Sequence, residues 1–144
     1  MKILLAIEDL EHASAICRTI VTQFQLEGTT VLVLHVLEPL VPQAPFEMSP
    51  GYAPELGAQK NLAESLVAEI ATQLRAEGVQ VETAVEVGDV RATILDEATR
   101  SKADLIVLGS QSRNGIQRFL LGSVAESVAR HAACSVQIVR SPTA

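Results

Sequence analysis

Two kinds of hydrophobic pattern alternate along the chain. Short, nearly continuous apolar runs such as residues 2–7 (KILLAI) are typical of strands that are buried on both faces of a parallel sheet. Between them lie stretches in which apolar residues recur every three or four positions, as in helices with one buried face. The predicted strands are residues 2–7, 29–36, 79–87, 104–108 and 135–139.

The helical stretches lie between these strands, and two of them are followed by a glycine that is expected to end the helix. The predicted helices are residues 13–24 closed by Gly28, residues 61–77 closed by Gly78, a stretch capped by Asp89, and residues 123–131. The strict alternation of strand and helix predicts an α/β fold, a parallel sheet with helices on both faces.

Two segments depart from this regular pattern. Residues 79–87 alternate apolar and polar side chains, so this strand is expected near an edge of the sheet. Residues 37–56 hold five of the six prolines, which predicts a long exposed loop. Neither segment indicates a second domain, and we expect one domain over residues 1–144.

Composition and charge narrow the classes of function. The net charge is −6 and no basic cluster occurs, so nucleic acid and anionic membranes are not expected partners. No apolar run is long enough to span a bilayer, and the first residues lack the order of a signal peptide. The two cysteines, Cys17 and Cys134, are expected to be separate reduced thiols. Together these observations predict a cytoplasmic protein.

Strong catalytic signatures are absent from the sequence. It contains no GxxxxGK[ST] phosphate loop, no GxGxxG after the first strand and no GxSxG nucleophile elbow. The three histidines lack metal-ligand spacing with cysteine or carboxylate, and His35 is expected to be a structural residue. No catalytic residue and no metal ligand is therefore assigned.

A ligand crevice is nevertheless expected at one edge of the sheet. In parallel α/β sheets ligands bind beyond the carboxyl ends of the strands, where the strand order reverses. That rule brings together residues 6–9, residues 36–37 and residues 109–123. The last of these segments carries glycines between a strand and a helix, which is either a phosphate cradle or an ordinary β-to-α turn.

An acidic cluster, Glu8, Asp9 and Glu11, lies beside the same crevice. Carboxylates near the start of a helix are favoured by the helix dipole, and this is one interpretation of the cluster. In the other, one of the carboxylates accepts hydrogen bonds from a hydroxyl or base of a ligand.

The sequence of the C-terminal third resembles that of the universal stress protein family. The resemblance rests on residues 103–110 (ADLIVLGS), Gly115, residues 118–128 (RFLLGSVAESV), residues 130–134 and residues 136–139, and the rest of the chain also fits. It implies a Rossmann-like fold of the adenine nucleotide alpha hydrolase type, with five parallel strands in the order 3-2-1-4-5. It also implies a homodimer through the last strand, Ser135–Val139.

Nucleotide-binding members of that family carry the motif G-x2-G-x9-G-[ST]. Gly109 matches its first glycine, Ser112 replaces the second, and Gly122-Ser123 matches its end. The resemblance implies a site for ATP or another adenine nucleotide, with Mg2+ as an accompanying ion. It implies at most slow ATP hydrolysis as a catalytic activity. The implied contacts are Ala6, Ile7, Glu8 and Val36 for the base and its surroundings, Leu108, Gly109 and Ser112 for the ribose and phosphates, and Gly122, Ser123 and Val124 for the phosphates.

Two residues depart from the family pattern. Glu8 stands where the family usually has aspartate, and it is one methylene longer. Ser112 adds a Cβ where the motif has glycine, which costs about 1 kcal/mol if the backbone has a positive φ. Three hypotheses therefore remain: a stress-response regulatory or signalling module that binds an adenine nucleotide, a homodimeric interaction scaffold that does not, and an enzyme such as a nucleotide hydrolase. The sequence identifies no protein partner.

Overall fold

Nine elements alternate between strand and helix in the part of the chain that the structure describes. This computed structural model describes residues 1–39, 52–110 and 121–140, and only the backbone for residues 52–55. The elements are β1 (Lys2–Ala6), α1 (Leu10–Gln23), β2 (Thr30–Leu37), α2 (Tyr52–Ala76), β3 (Gln80–Val87), α3 (Val90–Arg100), β4 (Leu105–Gly109), α4 (Ser123–His131) and β5 (Ser135–Val139).

The five strands form one parallel sheet in the order β3-β2-β1-β4-β5, which confirms the expected fold. β1 is central, with Leu4 opposite Leu32 of β2 and opposite Ile106 of β4. After β3 the chain crosses to the other side of β1, so the strand order reverses between β1 and β4. The carboxyl ends of these two strands are therefore where a crevice is expected.

The core has one layer on each face of the sheet. Successive side chains of β1 point to opposite faces, so Ile3 and Leu5 pack with α1 and α2, whereas Leu4 packs with α3 and α4. All three are fully buried. This two-sided burial explains why the run is continuously apolar, and each such side chain contributes roughly 1.5–3 kcal/mol to folding.

The two glycines that were expected to end helices behave differently. Gly78 follows α2 with a φ of +91°, and the amide of Val79 donates to the Leu74 carbonyl at 3.2 Å, so this helix end is confirmed. The prediction for Gly28 is wrong, because α1 already ends at Gln23. Gly28 lies in the turn before β2, where its φ of +79° favours glycine.

The predicted loop over residues 37–56 is wrong at its C-terminal end. α2 begins at Tyr52 and has 25 residues, so residues 52–56 are helical. Pro54 is compatible with this start because the first amides of a helix have no intrahelical acceptor. Residues 40–51 lie outside the described residues.

The sheet has two different edges. β3 lies at one edge beside β2, as its alternating pattern predicted, and none of its side chains is fully buried. β5 lies at the other edge beside β4, and its Val136 and Ile138 are only partly buried against the layer of α3 and α4. Within the described residues, no helix is long and apolar enough to cross a membrane.

Candidate functional site

A crevice of about 650 Å3 opens at the carboxyl ends of β1, β2 and β4. It contains the strand ends that the sequence was expected to bring together, and it also takes in the first turns of three helices. The lining residues are Ala6, Ile7, Glu8, Asp9, His12, Ala13, Ile16, Leu34, His35, Val36, Leu37, Glu38, Pro39, Gln59, Val90, Ile94, Leu108, Gly109, Val124 and Ala125.

The predicted site residues fall into three groups. Those that line the crevice are Ala6, Ile7, Glu8, Val36, Leu108, Gly109 and Val124. Gly122 and Ser123 lie at the start of α4, directly before the lining residue Val124. Ser112 lies outside the described residues, so its place relative to the crevice stays a prediction.

Hydrogen bonds hold the ends of β1 and β2 together at the crevice. The amide of Ile7 donates to the Leu34 carbonyl at 2.9 Å, and the ring of His35 is 2.8 Å from the Ile7 carbonyl through Nδ1. Because a carbonyl only accepts, Nδ1 carries the hydrogen of this bond. His35 thus has the structural role that was expected of it, and it also lines the crevice.

The acidic cluster divides into residues with different roles. Asp9 caps α1, since its Oδ1 accepts the amide of His12 at 2.8 Å and its Oδ2 lies 2.6 Å from His12 Nδ1. Burial by itself would raise the pKa of Asp9, but these hydrogen bonds and the charge of His12 outweigh it and hold the pKa below its usual value. Glu11 is an exposed acid in the first turn of α1, and Glu8 is exposed at the crevice.

The start of α4 is built without a capping side chain. The amide of Ser110 donates to the Val139 carbonyl, and the amide of Gly122 donates to the Ser110 carbonyl, both at 3.0 Å, so α4 starts beside the end of β4. Gly122 is the N-cap, and the amide of Glu126 makes the first helical bond back to its carbonyl at 3.0 Å. The amides of residues 123–125 therefore have no acceptor within the helix.

Three helix starts meet at this crevice, and they differ in charge. The carboxylate of Asp9 caps α1, and that of Asp89 caps α3 by accepting the amide of Ala92 at 2.9 Å. The N-cap of α4 is Gly122, which has no side chain, and the acid in its first turn, Glu126, pairs with Arg130 at 2.9 Å. Free amides and the positive end of a helix dipole attract anions, so α4 offers the crevice an anion-binding position that α1 and α3 fill with their own carboxylates.

The charged groups of the crevice are unevenly distributed. Among the described lining residues the carboxylates are those of Glu8, Asp9 and Glu38, and there is no lysine or arginine. A cation lies beside the α4 start, where Nη2 of Arg91 is 3.5 Å from Oγ of Ser123. The crevice can thus accept hydrogen bonds from a ligand near the end of β1 and donate them to an anion near α4.

The cysteines and the possible metal ligands of the described residues do not indicate redox or metal chemistry. Cys17 and Cys134 are both free, and burial raises the pKa of the Cys17 thiol to about 11, so it is not a thiolate nucleophile at neutral pH. Across residues 1–39, 52–110 and 121–140, no group of three or more histidine, cysteine or acidic side chains could hold a metal ion.

Several lining residues were not predicted from the sequence, chiefly His12 and Ala13 of α1 and Val90 and Ile94 of α3. A signal for them was present. Every helix that follows a strand in a parallel sheet starts at the same edge, so the first turns of all the helices were candidates for the lining.

The comparison with known families agrees with this geometry. A family model described as the universal stress protein family matches residues 1–140. The chain belongs to the universal stress protein family. The five-stranded sheet in the order β3-β2-β1-β4-β5 is thus the fold of a universal stress protein.

Curated relatives carry the same family name. Universal stress protein Sll1388 of Synechocystis is 30% identical over 149 residues, covering 96% of this chain and 97% of that protein. Universal stress protein MJ0531 of Methanocaldococcus jannaschii is 43% identical over 65 residues. That match covers 45% of this chain and only 38% of the archaeal protein.

Solved structures of the family have the same fold. Universal stress protein UspA from Lactobacillus plantarum is similar over 97% of both chains, with a TM-score of 0.83 and 25% identity. The universal stress protein from Archaeoglobus fulgidus, solved in complex with dAMP, is similar over 96% of both chains, with a TM-score of 0.69 and 25% identity.

Proposed function

We propose that this universal stress protein binds an adenine nucleotide in the crevice and acts in the cytoplasm as a regulatory or signalling module of the stress response. The observation that carries the proposal is the uncapped start of α4, which opens beside a 650 Å3 crevice. The dAMP complex of the Archaeoglobus fulgidus relative supports the choice of ligand class.

The charges of the crevice suggest how a nucleotide is oriented. Adenine and ribose carry N–H and O–H donors, which suit Glu8 and the backbone at the ends of β1 and β2. Phosphates suit the amides of residues 123–125 and the adjacent Arg91. Mg2+ would enter mainly with the phosphates, because it is usually held by one or two carboxylates together with phosphate oxygens.

The proposed contacts combine this orientation with the positions of the family motif. They are Ala6, Ile7, Glu8 and Val36 around the base, Leu108, Gly109 and Ser112 near the ribose and phosphates, and Gly122, Ser123 and Val124 at the phosphates. Binding would alter the conformation of neighbouring loops or the choice of partner, with ATP hydrolysis slow at most.

Isothermal titration calorimetry with ATP, ADP and AMP tests this function. We expect saturable binding at roughly 100 µM ligand, where micromolar dissociation constants give clear heat. Absence of heat from protein shown to be folded by circular dichroism would overturn the proposal. Ser112→Gly is the informative variant, since the family motif has glycine there. Binding that appears only in this variant would place the natural protein in the class that does not bind nucleotide.

The alternative function is a homodimeric scaffold, and a feature of the sheet favours a dimer under either function. β5 pairs with β4 on one side, and Val136, Ile138 and Val139 are apolar and only partly buried. An edge strand of this kind is a template for pairing, and the β5 of a second copy is the proposed partner through Ser135–Val139. Light scattering at micromolar protein should give a dimer mass. A monomer mass would contradict it.

A further inference from the structure

Arg91 has an unusual position in its own helix. It is the second residue of α3, next to the Asp89 cap, and the first turn of α3 contains no acidic residue. A cation near a helix start is opposed by the helix dipole. Across residues 1–39, 52–110 and 121–140, no carboxylate forms an ion pair with its guanidinium, in contrast to Arg100 and Arg130.

The side chain of Arg91 contacts a residue at the border of the crevice. Its Nη2 lies 3.5 Å from Oγ of Ser123, the first residue of α4 and 32 residues away in the sequence. The neighbours of these two residues, Val90 and Val124, both line the crevice. The guanidinium therefore lies beside the free amides of α4. The 3.5 Å contact is long for a hydrogen bond, and a guanidinium has five N–H donors to share.

We propose that Arg91 makes the crevice selective for the phosphate charge of its ligand, by donating charge-assisted hydrogen bonds to a nucleoside diphosphate or triphosphate at the start of α4. This inference rests on the proposed nucleotide function and names the residue that distinguishes a phosphorylated ligand from a nucleoside. The carboxylates at the other end of the crevice cannot supply this preference for phosphate, because they repel phosphate and accept hydrogen bonds from the base or ribose.

The test is calorimetric titration of wild type and Arg91→Gln with adenosine, AMP and ADP. We expect Arg91→Gln to lower ADP affinity about tenfold, because one charge-assisted hydrogen bond at an exposed position is lost. The same variant should change adenosine affinity by less than about twofold. Arg91→Lys keeps the charge without the planar fork and should restore part of the ADP affinity. The salt dependence of ADP binding should be weaker in Arg91→Gln than in wild type.

Arg18→Gln is the matched control. It removes the same charge from an exposed arginine of α1 that lies outside the lining of the crevice, so it should leave all three affinities unchanged. Equal losses of ADP and adenosine affinity in Arg91→Gln, or no loss of ADP affinity, would overturn the role of Arg91. Failure of the wild type to bind any of the three ligands would overturn the proposed function itself.

Discussion

The three helix starts at the crevice differ in whether a side chain of the protein caps them or leaves their amides free for a ligand. The starts of α1 and α3 are satisfied by Asp9 and Asp89, whose carboxylates accept amides of their own first turns. The start of α4 has Gly122 and no side-chain cap. Glycine at an N-cap is only a few tenths of a kcal/mol worse than aspartate. α4 therefore leaves a position for an external anion at little cost in stability.

Because of this difference, a new carboxylate at the start of α4 should preserve folding stability but weaken the binding of ADP. Ser123→Asp places a negative charge at the exposed first position of α4, where the dipole favours it, so folding should be preserved. The same charge repels a phosphate about 4 Å away by about 1–4 kcal/mol, so ADP affinity should fall roughly fivefold to several hundredfold. Calorimetric titration with ADP, together with a thermal melt, measures both effects.

Ser65→Asp is the matched control for Ser123→Asp. Ser65 is an exposed residue of α2 outside the lining of the crevice, and the change in charge is the same. ADP affinity should stay at the wild-type value in this variant. If Ser123→Asp also binds ADP as the wild type does, phosphate does not lie at the start of α4.

Removing a carboxylate from α1 should affect stability by a smaller amount and in a pH-dependent way. Asp9→Ala leaves the amide of His12 without its acceptor and should cost about 1 kcal/mol of unfolding free energy at pH 7. Because the pKa of Asp9 is lowered in the folded protein, the stabilisation is present above the usual value of 3.8 and is lost as the pH falls through the folded pKa.

Urea denaturation at pH 7 and at an acid pH well below 3.8 measures this dependence, since the carboxylate becomes protonated as the pH falls through its folded pKa. The difference between wild type and Asp9→Ala should shrink at the lower pH. Asp9→Asn is the control, because asparagine caps a helix without a charge and should retain most of the stability at pH 7. An equal cost of Asp9→Ala at both pH values would contradict the assignment of Asp9 as a charged cap.

The smallest expected effect concerns the cation at α3. Arg91→Gln removes a positive charge from the start of α3 and should raise the unfolding free energy by about 0.3–1 kcal/mol at low salt. Arg130→Gln, at the favourable end of α4, should lower it slightly. Paired urea titrations of the two variants measure the difference. A clear loss of stability in Arg91→Gln would indicate a structural role for the residue.

Most of the fold could be predicted because the strands are short, apolar and regularly spaced. The end of α1 and the start of α2 could not be predicted from this spacing. Phe24 and Leu26 pack against the layer formed by α1 and α2, so the chain leaves the helix before Gly28. The proline-rich composition of residues 37–56 predicted a loop over the whole segment, so the helical start at Tyr52 was missed.

The site was less predictable than the fold. The sequence indicated Glu8 and Asp9 as one acidic cluster, but only the hydrogen bonds of His12 assign Asp9 to the helix cap and leave Glu8 at the crevice. Arg91 carries no local signal, because an exposed arginine in a helix is commonplace. Its proximity to Ser123 arises only when α3 packs beside α4.

The position of the phosphates can be measured most directly by recording the backbone amide resonances of 15N-labelled protein during titration with ADP and with adenosine. Phosphate binding at the start of α4 predicts large, saturable ADP-induced shifts at Ser123, Val124 and Ala125, with smaller shifts at the first-turn amides of α1 and α3 whose caps are already filled. Adenosine should shift the ends of β1 and β2 and leave the start of α4 nearly unchanged. ADP shifts that are absent from α4, or that are equal at all three helix starts, would contradict it.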